Sequence, residues 1–118
     1  MMDEKTAREL LAQERARIEE EMRLHQRAAD RAAERAAEPQ DRADSAQIDY
    51  GHAEDLARIE SLEEEMAALE RAEQRLREGT YGLSVESGEP IPDGRLHRLP
   101  TTERTVEEQV AFERRGGA

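Results

Sequence analysis

Between Asp3 and Ala37 the chain contains no glycine or proline, and its apolar positions recur at helical spacing. Leu11, Ile18, Met22, Ala29, Ala32 and Ala36 lie three, four or seven residues apart, which puts them on one face of a long helix beginning near Asp3 or Thr6. A second run, Ile48, His52, Leu56, Ile59, Leu62, Met66, Leu69 and Leu76, repeats the pattern. Between the two lies the short polar stretch Glu38-Pro39-Gln40-Asp41. Pro39 has no backbone N–H to donate and restricts the residue before it, so the first helix ends there. Asp41 can cap a new helix starting at Arg42 or Ala43, and Gly79 can supply the left-handed residue that ends it.

Folding the chain at residue 40 places Leu11 opposite Leu69, Ile18 opposite Leu62, Met22 opposite Ile59 and His25 opposite Leu56. The two stripes match, which predicts an antiparallel hairpin; helices of about 35 residues would make a rod on the order of 50 Å long. Glu19–Arg23, Glu54–Arg58 and Glu73–Arg77 are i,i+4 pairs in the favourable order. Ala28, Ala29, Ala32, Ala33, Ala36 and Ala37 crowd toward the turn. They predict a slender distal end, although alanine is also simply the best helix former.

From Thr80 the character changes. Gly82, Gly88, Pro90, Pro92, Gly94 and Pro100 punctuate short apolar pieces, which marks a compact turn-rich segment. Pro100-Thr101-Thr102-Glu103 reads as the start of a C-terminal helix with a threonine cap, carrying Val106, Val110 and Phe112 and ending before Gly116-Gly117.

Composition sharpens this picture. Of the 118 residues, 36% are hydrophobic, 40% charged and 3% aromatic, which suits long helices or disorder and not an ordinary globular core. The periodicity decides for helices. A net charge of −11 opposes direct nucleic-acid binding and favours a basic protein surface as partner. With no cysteine there is neither a disulfide nor a thiolate metal site. No apolar run approaches the roughly 20 residues of a membrane span, and no signal-peptide pattern opens the chain; a soluble cytoplasmic protein without membrane contact is expected. The acidic runs Glu19-Glu20-Glu21 and Glu63-Glu64-Glu65 point around their helices and read as solvated faces. His25 and His52 read as half-buried packing residues, His97 as a surface residue. No nucleophile–base set or phosphate loop is present, so an enzyme is not expected.

The stretch R-A-E-Q-R-L-R-E-G-T-Y-G-L-S-V-E-S-G-E-P-I-P-D-G-R-L-H-R-L-P-T-T-E-R-T-V-E-E, from Arg71 to Glu108, resembles the helix end and zinc knuckle of the DksA/TraR family. Gly79-Thr80-Tyr81-Gly82, Gly88, Pro90-Ile91, Arg95-Leu96 and Pro100-Thr101 stand in the family's register, and Glu38-Pro39-Gln40-Asp41-Arg42-Ala43 fits its acid-x-x-Asp-x-Ala tip motif. The resemblance covers roughly residues 35–110. It implies a mostly α fold: an antiparallel two-helix coiled-coil hairpin over 1–79 with its tip at 38–43, then a small zinc-knuckle domain over 80–118 closed by a C-terminal helix. The family's four metal positions fall on Ser84, Ser87, Thr105 and Glu108. Structural zinc needs four strong donors, usually thiolate or imidazole, so a degenerate knuckle without metal or other cofactor is expected. The missing zinc is worth on the order of 10 kcal/mol. Val85, Ile91, Leu96, Leu99, Val106 and Val110, each about 1.5–3 kcal/mol if buried, are expected to compensate, and the hydroxyls to bond turn backbone.

The resemblance also implies a bacterial transcription regulator that binds RNA polymerase and not DNA, its hairpin entering the secondary channel. Glu38 and Asp41 would then act near the active site, with Ala43 as the close-packing tip residue. The free protein would be monomeric. Family positions that help bind guanosine tetraphosphate fall on Ala68, Leu99 and Gln109, none of them cationic, so insensitivity to that nucleotide is expected; Arg71, Arg98 and Arg104 lie nearby. The competing expectation is a structural or adaptor coiled coil that has lost polymerase binding.

Overall fold

The computed structural model describes the backbone of residues 1–37 and 42–117 and the side chains of 1–37 and 51–117. Helix α1 spans Glu4–Ala36, α2 Arg42–Glu78, α3 Asp93–Arg98 and α4 Val106–Arg114. The fold is mostly α, with α1 and α2 packed antiparallel. Among the described residues the β structure amounts to one isolated antiparallel bridge, Leu83 to Pro90. The chain forms two compact units, Arg15–Ala67 and Met1–Glu14 with Ala68–Ala118.

In the first unit Ile18 and Leu62 are fully buried, and Ala29 and Ala32 are buried further toward the turn, while Ala33, Ala36 and Ala37 are exposed. Met22, Ile59 and Met66 are half-buried. The expected stripe fails at Leu56, which is 46% exposed. Its layer is taken instead by a polar contact: His25 Nδ1 lies 2.9 Å from Asp55 Oδ1. His52 Nδ1 donates to the Ala29 carbonyl at 3.2 Å. Both links run in the register that sets Ile18 against Leu62.

A ring of four charges fixes the same register. Arg17 bonds Glu65 at 2.7 Å, Arg58 bonds Glu65 and Glu21 at 3.1 Å each, and Arg17 also pairs with Glu21 along its own helix. The hydrogen bonds of Arg58 hold the Glu21 carboxyl below its usual range. Arg58, expected to pair with Glu54 along α2, therefore reaches across to α1. Arg23 pairs with Glu20, and Glu19 with Arg15. Such partly exposed pairs are each worth no more than about 1 kcal/mol. Slipping one helix by a turn would break them together, so their role is to select a register.

The second unit draws its core from three sources: Met2, Ala7 and Leu11 at the start of α1, Leu69 and Ala72 near the end of α2, and Tyr81, Ile91 and Leu96 beyond it. Asp3 caps α1, accepting the Thr6 amide at 2.8 Å. At the far end of α2, Gly79 takes φ +78°. There the Thr80 amide reaches Arg75 O at 2.8 Å and the Gly79 amide Leu76 O at 3.2 Å, the two bonds of a Schellman end.

Three expectations need correction. The segment after Pro92 is a short helix, α3, that buries Leu96, where only turns were read. The C-terminal helix starts at Val106 and not near Thr101, because Thr105 and Glu108 form a reciprocal capping box. Of the six residues expected to compensate for zinc, Ile91 and Leu96 are buried, but Val85, Leu99, Val106 and Val110 are 48%, 53%, 51% and 41% exposed.

Helix α2 also runs straight through Gly51, and a Cβ built there meets nothing within 4 Å. Glycine in a helix interior costs about 0.5–1 kcal/mol relative to alanine. Gly51→Ala should therefore raise the unfolding free energy by about that amount in urea denaturation; a loss of stability would reveal a need for glycine at this position.

Candidate functional site

The residues expected at the tip divide in two. Glu38 and Asp41 lie outside the described residues. Ala43 falls in the first turn of α2, with its side chain likewise outside the description. The four former ligand positions are described in full, and the fold brings them together.

Their assembly begins with two turns. After the bridge at Leu83, the Ser84 amide bonds Glu89 O at 2.8 Å and the Gly88 amide bonds Ser84 O at 2.9 Å, closing the loop 84–89. Gly88 adopts φ +74°, a conformation that a Cβ disfavours. Inside the loop Ser84 Oγ accepts the amides of Glu86 at 3.1 Å and Ser87 at 3.2 Å. Ser84 is only 4% exposed, so these bonds satisfy an otherwise costly buried oxygen. Ser87 Oγ accepts the Glu89 amide at 3.3 Å. The second turn is pinned to the first where Val85 N donates to Glu103 O at 2.9 Å, and Arg95 Nε donates to Arg104 O at 2.8 Å.

At the junction stands Glu108. Its Oε1 accepts the Thr105 amide at 2.9 Å while Thr105 Oγ1 accepts the Glu108 amide at 3.3 Å. The hydroxyls of Ser84 and Ser87 stand near the same carboxylate and help to lower it. Led by the Thr105 amide, these donors push the Glu108 carboxyl down to about 2.

Zinc does not fit this set. Serine and threonine hydroxyls keep their protons, and the single carboxylate is already committed to the Thr105 amide. Among the described residues no cluster of three or more histidine, cysteine, aspartate or glutamate side chains is placed to hold a metal ion.

A second cluster surrounds Glu103. Arg71 Nε bonds its Oε1 at 2.8 Å and Arg75 Nη1 at 3.1 Å. Burial pushes the Glu103 carboxyl up, but the two guanidinium groups outweigh it and hold it below the usual value. Arg104 pairs with Glu86 at 3.0 Å, and its guanidinium carbon lies 3.6 Å from the centroid of the Phe112 ring. Tyr81, whose hydroxyl donates to Pro100 O at 2.7 Å, is pushed up to about 12 by burial. Of the three arginines near the expected nucleotide positions, Arg71 and Arg104 are committed to internal carboxylates, and Arg98 is exposed on α3. Gln109 bonds Glu113 at 3.2 Å, Ala68 is half-buried and Leu99 is exposed.

Glu86, Glu103 and Arg104 were not legible as structural residues, since nothing local distinguishes their partners. The capping box was legible in Thr105-x-x-Glu108, but the earlier threonines offered a competing start. Among the described residues no helix is long and apolar enough to cross a membrane.

Comparison with known proteins gives a consistent likeness. No family model matches the chain. It is 35% identical over 75 residues to the RNA polymerase-binding transcription factor DksA of two Caulobacter vibrioides strains, a match covering 64% of this chain and 53% of the relative. The chain therefore spans about half the length of the curated relatives it matches. A solved structure, transcription factor DksA2 from Pseudomonas aeruginosa, superposes with a TM-score of 0.81 at 26% identity, over 96% of this chain and 84% of that one.

The polar junction carries a pH signature. A carboxyl lowered from 4.5 to about 2 on folding contributes stability above pH 4.5, and that contribution is lost as pH falls toward 2. Glu108→Gln, which keeps an acceptor but removes the charge, should be less stable than the parent chain at pH 6. The difference in urea midpoint should shrink through that window and close near pH 2. A constant difference across the range would assign the loss to packing and not to the carboxylate.

Proposed function

We propose that this chain, a member of the DksA/TraR family, regulates transcription by binding RNA polymerase through a protein–protein contact, without binding nucleic acid directly. The observation that carries the reading is the 35% identity with the Caulobacter factor, supported by the fold shared with the Pseudomonas protein. Physical chemistry points the same way. A chain with net charge −11 is repelled by DNA and attracted to a positively lined cleft in a protein. A hairpin built from two helices, with no concave reaction centre among the described residues, suits a regulator and not an enzyme.

In this reading residues 1–79 act as the hairpin and 80–118 as the knuckle. The hairpin enters the secondary channel of the polymerase, Glu38 and Asp41 act near the active site, Ala43 gives close packing, and the monomeric protein works in the cytoplasm. Co-sedimentation with core RNA polymerase separates this from the adaptor reading. A complex of defined stoichiometry supports the regulator, whereas self-association of the chain without polymerase binding supports the adaptor.

Asp41→Asn keeps the shape and capping ability of the side chain and removes its charge. It should reduce the effect on transcription at least about tenfold, as loss of a charge acting at a reaction centre does, while affinity for polymerase changes little. Equal loss of both, or of neither, would contradict the tip assignment.

The nucleotide expectation also becomes concrete. Binding a tetraphosphate needs cationic groups free to donate to it. With Arg71 and Arg104 held by Glu103 and Glu86, guanosine tetraphosphate should alter affinity and transcriptional effect by no more than about twofold, using a polymerase whose other nucleotide sites are disabled. A synergy abolished by Arg98→Ala would show a rebuilt joint.

A further inference from the structure

Helix α4 is the one helix among the described residues with no fully buried side chain. The others contribute Ile18, Leu62 and Leu96 to their cores. On α4, Val106 and Val110 face solvent, and Ala111 and Phe112 are half-buried. What ties the helix to its unit is polar. At one end the Ser84 and Ser87 hydroxyls stand near the Glu108 carboxylate and help to lower it. At the other, Arg115 Nη2 bonds Glu86 Oε1 at 3.0 Å. Arg104, in the turn before the helix, bonds the same oxygen at 3.0 Å while lying over the Phe112 ring. One carboxylate, Glu86, therefore gathers both the turn and the end of the helix.

We propose that α4 is a salt-releasable strap: it opens as a unit while the rest of the second unit stays folded, and Glu86 sets how readily it does so. Apolar burial does not weaken with added sodium chloride, but ion pairs at the surface do. The screening length falls from about 14 Å at 0.05 M salt to about 4 Å at 0.5 M. A nine-residue helix is too short to persist once undocked, so release and unwinding are one event. Local openings of this kind follow low apolar contact. The strap responds to charge: a cation on a partner surface that engages Glu86 takes the carboxylate from Arg115 and frees the helix. This behaviour belongs to the chain itself and does not depend on which partner it meets.

The test is native-state hydrogen exchange of the full chain, read by NMR at the amides of Val110–Arg114 and, as reference, of Leu69 and Ala72 in α2. In low salt the α4 amides should be protected at least about tenfold less than the reference amides. Raising sodium chloride from about 0.05 to 0.5 M should lower α4 protection about threefold or more and leave the reference unchanged. Glu86→Gln should reproduce that fall at low salt and remove most of the salt response. Protection of α4 equal to the reference, indifference to both salt and Glu86→Gln, or a fall shared by Leu69 and Ala72 would each overturn the proposal.

Discussion

The knuckle depends on one carboxylate. Glu108 accepts the Thr105 amide with the hydroxyls of Ser84 and Ser87 beside it, and so stands where two turns meet the start of α4. Without that anion the loop 84–89 and the turn before α4 would share only the single backbone bond from Val85 to Glu103 and the Glu86–Arg104 pair. The solution differs in kind from a metal centre. A metal ion takes four donors at fixed lengths, whereas the carboxylate accepts hydrogen bonds whose geometry the turns themselves supply. It is weaker, and it needs neither thiolates nor an ion. The exposure of Val85, Leu99, Val106 and Val110 agrees with this: polar organisation, and not an enlarged apolar core, closes the knuckle.

The hairpin obeys a related rule. Its apolar seam is narrow, with Ile18 and Leu62 the large fully buried residues of the first unit and Ala29 and Ala32 further along, so apolar contact alone would tolerate slippage. The ring of Arg17, Glu21, Arg58 and Glu65, with the His25–Asp55 and His52–Ala29 contacts, turns a permissive seam into a registered one. Charge in this protein specifies arrangement more than it adds stability. That division of labour explains how a chain that is 40% charged and 36% hydrophobic still folds to a defined hairpin.

Much of this was legible in the residues. The helical period located both long helices, Asp3 and Gly79 marked their outer ends, and the matching stripes gave the pairing of Ile18 with Leu62. The glycines and prolines from Gly82 to Pro100 marked a turn-rich segment, and the knuckle reading came from the resemblance. The misses share a cause. The exposure of Leu56, the cross-helix turn of Arg58 and the later start of α4 are each decided by a partner distant in sequence, which local propensity cannot weigh. Ser84, Ser87, Thr105 and Glu108 were identified as a set by resemblance. That the two serine hydroxyls would stand beside the Glu108 carboxylate follows only from the geometry that brings the four together.

The central claim is that hydrogen bonds centred on Glu108, and no metal ion, close the knuckle. It is tested most directly by purifying the chain, refolding it from denaturant in the presence of a strong chelator, and comparing its melting temperature and zinc content with those of untreated protein. The account predicts melting temperatures equal to within about 1 °C and no stoichiometric zinc, since a structural ion worth on the order of 10 kcal/mol could not be removed unnoticed. One equivalent of bound zinc, with a chelator-induced drop in the melting temperature, would contradict it.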